Sequence, residues 1–339
     1  MASQSAANPT LGKVPLTTIS LTPKQKFEGH HITNFVFLHD NAHIVSSSLD
    51  GTMRKWNLET GLLVGDPWEK EGGGIWALEL SPNGETIACG RIDGSVQTWN
   101  TNGKMVEGNW TSHSDAVWSL SWSPSGCHLA SGSGDGTILI RNAGSGEVEV
   151  GPIETNQHWV CSLANSPSGD RIASGGYNET ICIWECSTGK LLVGPIEKLG
   201  YRVDSVVWSS DSTKLYCASE KFAHVLDSIS GTELHRLQHD DFIYSVALSP
   251  KHNILVCVGV RGVAQLWNIE SHRPLGQPFN QDDLEYLHYV SFSPDGRYLA
   301  YGGNDKITLR IVQGLSPSCF NVSPFPLQYH SSSSQNHHR

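Results

Sequence analysis

The chain of 339 residues carries 33 Asp plus Glu against 23 Lys plus Arg, a formal net charge of -10, together with 11 Trp and 34 Gly. That balance opposes a nucleic-acid role that works by neutralising phosphates. No stretch approaches 18 uninterrupted apolar residues, and no early apolar run has the form of a signal peptide, so a soluble protein inside the cell, cytoplasmic or nuclear and with no membrane partner, is expected.

Residues 1–13, MASQSAANPTLGK, are small and polar, which predicts disorder. Residues 14–27 contain the alternating VPLTTISL but form no repeat unit of their own. From Gly29 a unit begins that returns along almost the whole chain, and the stretch 113–141, HSDAVWSLSWSPSGCHLASGSGDGTILIR, shows its parts. Apolar and small residues alternate over 117–122, SPSG turns the chain, 129–133 is a second strand, GDG turns it again, and 137–140 is a third. Such a sheet cannot bury its own faces and needs a neighbour.

The place held by the Trp of TMRKWN is occupied in turn by Trp56, Trp99, Arg141, Trp184, Leu226, Trp267 and Ile311, at intervals of 43, 42, 43, 42, 41 and 44 residues. The first turn repeats independently at Ser81, Ser123, Ser166, Ser209, Ser249 and Ser293, mostly as SPxG, where Pro presets φ and the last residue accepts a positive one. A period near 40 to 45 with about four strands per unit predicts an all-β, seven-bladed β-propeller with four-stranded blades over residues 14–314. The last unit has only three clear strands, so the N-terminal segment is expected to add its outer strand and close the ring, removing two exposed sheet edges. Residues 315–339, rich in Pro and then Ser, read as a disordered tail.

The eight Cys fall mostly inside strands, where other units carry Ser or Ala, and read as small buried thiols in a reducing compartment. Cys182 and Cys186 flank Trp184, but a lone CxxxC without a second pair is a weak zinc signal.

At the repeated residues the chain resembles the WD-repeat family of β-propellers, and the phrase STGKLLVGPIE with VWSLSWSPSG and ASGSGDGTI is similar to the repeats of fungal NOD-like receptor proteins. The resemblance implies a hydrogen-bonded set of His, Ser or Thr, Asp and Trp within each blade. It falls on His30, Ser46, Asp50 and Trp56 in unit one, and on Asp93 and Trp99 in unit two with Glu71 and Cys89 at the other places. Unit three offers His113, Ser131 and Asp135 with Arg141 for Trp. Unit four offers Ser174 and Trp184 with Asn178 for Asp, and unit six His239 and Trp267 with Arg261 for Asp. Units lacking members should be softer, and unit five, with no Gly in its second turn and no Trp, softest.

A His, Ser and Asp at such spacing invites a hydrolase reading, but the trio recurs, its Asp sits in a tight turn, and no nucleophile elbow surrounds the Ser. The first strands offer only Glu79 as an acid, with Asp204 and His288 at their starts, too few for a metal or an acid–base pair, so no catalytic residue, metal or cofactor is expected.

In the WD-repeat family partners often bind the rim formed by the start of the first strand and the second turn. Carried over, this gives His31, Thr33 and Leu49; Trp76 and Ile92; Trp118; Trp159 and Tyr177; Arg202 and Asp204; Phe242, Tyr244 and Val260; and Tyr286 and His288. Aromatic side chains are enriched in this set, as they are in interface hot spots. The expected function is a non-catalytic scaffold, a monomeric propeller within a complex, that binds a protein or peptide on this rim. Two alternatives stand beside it, the ligand-sensing part of a receptor related to the fungal NOD-like receptors, and a propeller hydrolase.

Overall fold

The computed structural model describes residues 20–111, 113–251, 253–280, 286–303 and 305–313. They form seven antiparallel sheets, each meandering from an inner first strand to an outer fourth. Blade 3 is representative, with strands Val117–Trp122, His128–Ser133, Thr137–Asn142 and Val148–Glu154. The first strands of neighbouring blades lie against one another all the way round, blade 7 against blade 1 included. The ring is therefore closed.

Closure comes from the N-terminal strand, as the missing fourth strand of the last unit predicts. Ser20–Glu28 pairs antiparallel with Lys306–Gln313, from Ser20 opposite Gln313 to Glu28 opposite Lys306, and so completes blade 7. The predicted disordered segments, 1–13 and 315–339, lie outside the described residues, as do residues 14–19.

Strand alternation gives each blade two apolar faces, and each face finds its partner on the next blade. Seven hydrophobic clusters result, one at each junction between adjacent blades. At the blade 3–4 junction Ile138, Ile140 and Ile153 meet Val160, Ile172 and Trp184. At the closing junction Phe27, Ile307 and Leu309 meet Phe35, Ile44 and Trp56. The inner strands are also laced by serines. The hydroxyls of Ser119 and Ser121 accept the Leu163 and Asn165 N–H groups of the next blade at 2.8 and 2.9 Å, and Ser162 accepts that of Val206 at 3.0 Å.

The turn chemistry explains the recurrent Ser. Its hydroxyl accepts the N–H five residues on, from Ser81 to Thr86, Ser123 to His128, Ser166 to Arg171, Ser209 to Lys214 and Ser293 to Tyr298, at 2.8 to 3.1 Å. In the second turn Gly51, Gly94 and Gly136 hold φ of 84°, 83° and 83°, the left-handed region glycine enters without strain. Blades 4, 5 and 6 place Glu179, Glu220 and Arg261 in that region, at 66°, 54° and 58°.

Blades 1 and 6 are irregular at their outer edges; in blade 1 the outer strand is Trp68–Glu69 with a separate bridge from Trp56 to Leu63, and blade 6 is split as well. Its outer strand is reduced to two fragments, Arg273–Pro274 and Phe279–Asn280, each pairing with one end of Val263–Asn268. The seven described cysteines are all free thiols; Cys89, Cys182, Cys217 and Cys257 are buried, Cys161 and Cys186 are half-buried, and Cys127, in a turn, is exposed.

Candidate partner-binding surface

The His–Ser–Asp–Trp candidates come together inside the blades. In blade 3 His113 Nε2 lies 2.8 Å from the Ser131 hydroxyl and its Nδ1 3.1 Å from Asp135 Oδ2, while Thr137 donates to Asp135 Oδ1 at 2.7 Å. Blade 1 keeps His30 Nε2 to Ser46 at 2.7 Å and Trp56 Nε1 to Ser46 at 2.9 Å. Asp50, however, stands 3.9 Å from His30 Nδ1, which has no partner, because the loop after His30 is shorter than in blade 3. In blade 4 Trp184 Nε1 donates to Ser174 at 2.8 Å, and the histidine's place is taken by Gln157, whose Oε1 accepts from Ser174 at 2.5 Å. Sequence reasoning missed Gln157; the signal was its spacing of 17 residues before Ser174, against 18 for His113 and Ser131.

Elsewhere the set is replaced. Blade 2 uses a fully buried Arg91, which donates to Gln97 Oε1 at 2.9 Å and to the Gly73 carbonyl at 2.7 Å, while Gln97 donates to the Glu71 carbonyl. Asp93 accepts the Ser95 N–H at 3.0 Å, Cys89 stands in the serine's place, and Trp99 Nε1 has no hydrogen-bond partner. In blade 6 His239 meets Trp267 edge-on at 5.3 Å, with His239 Nε2 and Trp267 Nε1 unbonded, and burial lowers the His239 pKa to about 4. Arg261 takes no part there; it is exposed and pairs with Asp241 at 3.3 Å. Ser46, Ser131 and Ser174 are wholly buried, so no substrate could reach their hydroxyls, and the sets act as ties across each sheet. Each such bond contributes about 1 kcal/mol net.

The rim candidates lie at one end of the ring, because the start of each first strand bonds the end of the second. Leu49 N–H donates to the His31 carbonyl, Ile92 to Gly74, Tyr177 to Trp159 and Val260 to Phe242. His31, Leu49, Ile92, Trp159, Tyr177 and Tyr286 are exposed, while Trp76, Trp118, Arg202, Asp204, Phe242, Tyr244, Val260 and His288 are half-buried. Thr33 differs from the rest. It is 3% exposed, and its hydroxyl donates to the Ile75 carbonyl of blade 2 at 2.5 Å, which makes it a tie between blades.

Ring closure sets the aromatic candidates side by side. Trp76 and Trp118 have ring centroids 4.6 Å apart, Trp118 stacks on Trp159 at 5.5 Å and 14°, and Trp159 meets Tyr177 at 4.9 Å. The line crosses blades 2, 3 and 4 without interruption. Opposite it Tyr244 approaches His288 at 5.3 Å and Tyr286 at 6.3 Å, and Phe242 meets Tyr201 edge-on at 5.5 Å. Tyr201, 41% exposed, was not among the sequence candidates although it directly precedes Arg202.

Between the two arcs Arg202 Nε pairs with Asp204 Oδ1 at 2.8 Å. Burial raises Asp204 to about 6 against the pull of Arg202. Burial likewise pushes the Cys161 thiol up to about 12, with the Asp204 charge adding to it, and holds His288 below its ordinary value. The Cys161 thiol is therefore held in its protonated, weakly nucleophilic form. Among the described residues no group of three or more His, Cys, Asp or Glu is placed to hold a metal ion.

The family model described as "WD domain, G-beta repeat" matches residues 21–57, 68–100, 105–142, 151–185 and 231–268, more than half of the chain. The chain belongs to the WD-repeat family. Each WD-repeat match begins in or just before the outer strand of one sheet and ends in the third strand of the next, so the sequence repeat is staggered against the blade and ties neighbours covalently. The first three strands of blades 5 and 7 are unmatched, and blade 5 lacks both the Gly of the second turn and the Trp of the third strand. Among curated proteins the chain is similar to "Protein hir-1" of Neurospora crassa, 34% identical over 89 residues, and to "Protein HIR1" of Gibberella zeae, 35% identical over 79 residues. These similarities cover 22% and 21% of this chain and 8% of each relative's length.

Proposed function

We propose that this WD-repeat propeller is a non-catalytic scaffold that docks a protein or peptide on its aromatic rim, as a single propeller within a complex inside the cell and without a cofactor. The observation that supports it is the unbroken line from Trp76 to Tyr177, whose outer members are 40% and 47% exposed at Trp159 and Tyr177. Large amphipathic rings held rigid by their neighbours give contact area at little entropic cost, which is what dominates protein interfaces. Wholly buried serines and a half-buried, charge-paired Asp204 favour binding over hydrolysis.

The test is affinity capture from the source cells with the wild type and with a variant carrying Trp118→Ala, Trp159→Ala and Tyr244→Ala, both checked for an unchanged thermal midpoint. Loss of the captured proteins in the variant is expected; an identical set would remove the rim as the docking surface. A narrower reading, a ligand-sensing part of a receptor like the fungal NOD-like receptors, draws on the polar cluster of Cys161, Arg202, Asp204 and His288 as a place for a small ligand. It predicts a thermal shift with some member of a broad ligand panel, and no shift with any would reject it.

A further inference from the structure

The two arcs of the rim differ in charge. The segments that carry the Trp76–Tyr177 line, running from the ends of the preceding outer strands into the first strands and including the second turns of blades 2 to 4, expose Glu69, Glu71, Asp93, Asp115, Glu154 and Glu179 against one exposed cation, Lys70. Arg91, the other cation there, is sealed inside blade 2 by its bonds to Gln97 and Gly73. Among the described residues the matching loops of blades 5 to 7 carry both signs, and two of their acids are ion-paired, Asp204 with Arg202 and Asp241 with Arg261.

One of these carboxylates, that of Asp115, stands beside a ring. A Cβ on Gly134 would lie 2.9 Å from Asp115 Oδ2 and 3.1 Å from Trp118 Nε1, so the glycine is what lets this acid and this indole share one spot. A Cβ on Gly74 would come within 3.0 Å of the Leu49 carbonyl, so the loop before Trp76 is pressed close against the turn of blade 1. The result is a shallow acidic track on which four rings adjoin, with Trp159 and Tyr177 the most exposed.

We infer that the line Trp76, Trp118, Trp159 and Tyr177 is a track for an extended, arginine-rich segment of a partner protein, an inference that rests on the rim being the docking surface. A cation over an indole face is attracted by the ring quadrupole, and carboxylates at the edge of the ring add to that attraction. Arginine suits the site better than lysine, since its planar guanidinium stacks on the ring while its edge stays free to pair with a carboxylate. Three ring-to-ring steps of 4.6, 5.5 and 4.9 Å are covered by about five residues of extended chain at ~3.3 Å each. Nucleobases also stack on such ladders, but six unpaired carboxylates repel the phosphates that would accompany them.

The experiment measures fluorescence polarisation of a labelled arginine–glycine repeat peptide on the full chain, beside matched peptides with citrulline or glutamate for arginine and a single-stranded oligothymidine. The arginine peptide is expected to bind, with affinity that falls as salt rises from about 50 to about 300 mM. Citrulline should weaken it at least about tenfold, and so should the Trp118→Ala, Trp159→Ala pair. Ile229→Ser, at a 76% exposed site in a turn at the opposite end of blade 5, should change nothing. Should the double alanine variant melt early, Asp115→Asn with Glu179→Gln, both at exposed sites, decides through a flattened salt dependence. Equal binding of the citrulline peptide, tighter binding of oligothymidine, or an unchanged salt slope in the carboxamide pair overturns the inference. Failure of the arginine peptide alongside rim-dependent capture of cellular partners overturns it and leaves the rim reading standing; failure alongside rim-independent capture overturns both.

Discussion

Arg141 lies where blades 1 and 4 carry the tryptophan that donates to the blade's serine. It is 2% exposed, its Nε and one terminal nitrogen have no partner, and a single bond runs from its other terminal nitrogen to the Gly146 carbonyl at 3.1 Å. An unpaired buried guanidinium is costly, and burial lowers its pKa. Arg141→Trp should restore the indole bond to Ser131 and raise stability by about 1 kcal/mol, seen as a thermal midpoint higher by roughly 2 °C at fixed scan rate. Glu79 supplies a second residue-level prediction. Its Oε2 is sealed from solvent without a partner, and burial pushes its pKa up to about 8. The folded chain therefore holds a proton that the unfolded chain releases near 4.5, and stability falls as pH rises from there through 8. His30 and His239, lowered to about 4 by burial, act in the opposite sense and lose stability as pH falls from 6.5 toward 4. Above pH 6.5 Glu79 remains among these groups, with a slope of at most about 1.4 kcal/mol per pH unit. Denaturant midpoints between pH 6.5 and 8 should fall in the wild type and stay flat in Glu79→Gln.

Among the blades, those lacking the His–Ser–Asp–Trp set are expected to be softer, and from sequence blade 5 is the softest. The structure gives blade 5 other ties. His224, fully buried, lies 2.6 Å from Glu233 Oε1, Arg236 pairs with the same carboxylate at 2.7 Å, and the outer strand Glu233–Gln238 runs unbroken. Blade 6 has a split outer strand and leaves His239 Nε2 and Trp267 Nε1 unbonded. Local opening follows the weakest local contacts, so amides of Val263–Asn268 should exchange faster than those of Phe222–Asp227. Equal protection in the two segments would remove the argument. In blade 1 a single hydroxyl, that of Ser46, serves both His30 and Trp56. Ser46→Ala leaves two buried partners unpaired, the Trp56 N–H and the His30 ring nitrogen, and should cost about 2 kcal/mol in equilibrium unfolding.

For the whole molecule, the decisive bond set is the one that closes the ring. Phe27, wholly buried, fills the junction between blades 7 and 1 against Trp56 at 5.9 Å. Phe27→Ala should cost about 3–5 kcal/mol, as large-to-small changes in a packed core do. A chain beginning at Gly29 loses that ring and also bares the edge of Lys306–Gln313, which then invites pairing with a second copy. Concentration-dependent association on size exclusion is expected, and a truncated chain that stays monomeric with an unchanged midpoint would contradict it.

Much of this was readable in the residues themselves. The sevenfold period, the Ser and Gly turns and the bonded sets of blades 1 and 3 all depend on spacings within about 45 residues, where strand alternation and turn chemistry act locally, and the pairing of the N-terminal strand with the last unit was legible from the fourth strand that unit lacks. What only the tertiary structure decided are relations between residues on different blades or between alternatives at one place. Thr33 is sealed because the Ile75 carbonyl of the next blade reaches it, and Gln157 replaces a histidine because an amide spans the same gap. The Trp76, Trp118 and Trp159 rings touch because ring closure sets side by side positions about 42 residues apart. No local pattern carries that information, since the contact is made by the packing of one sheet on the next.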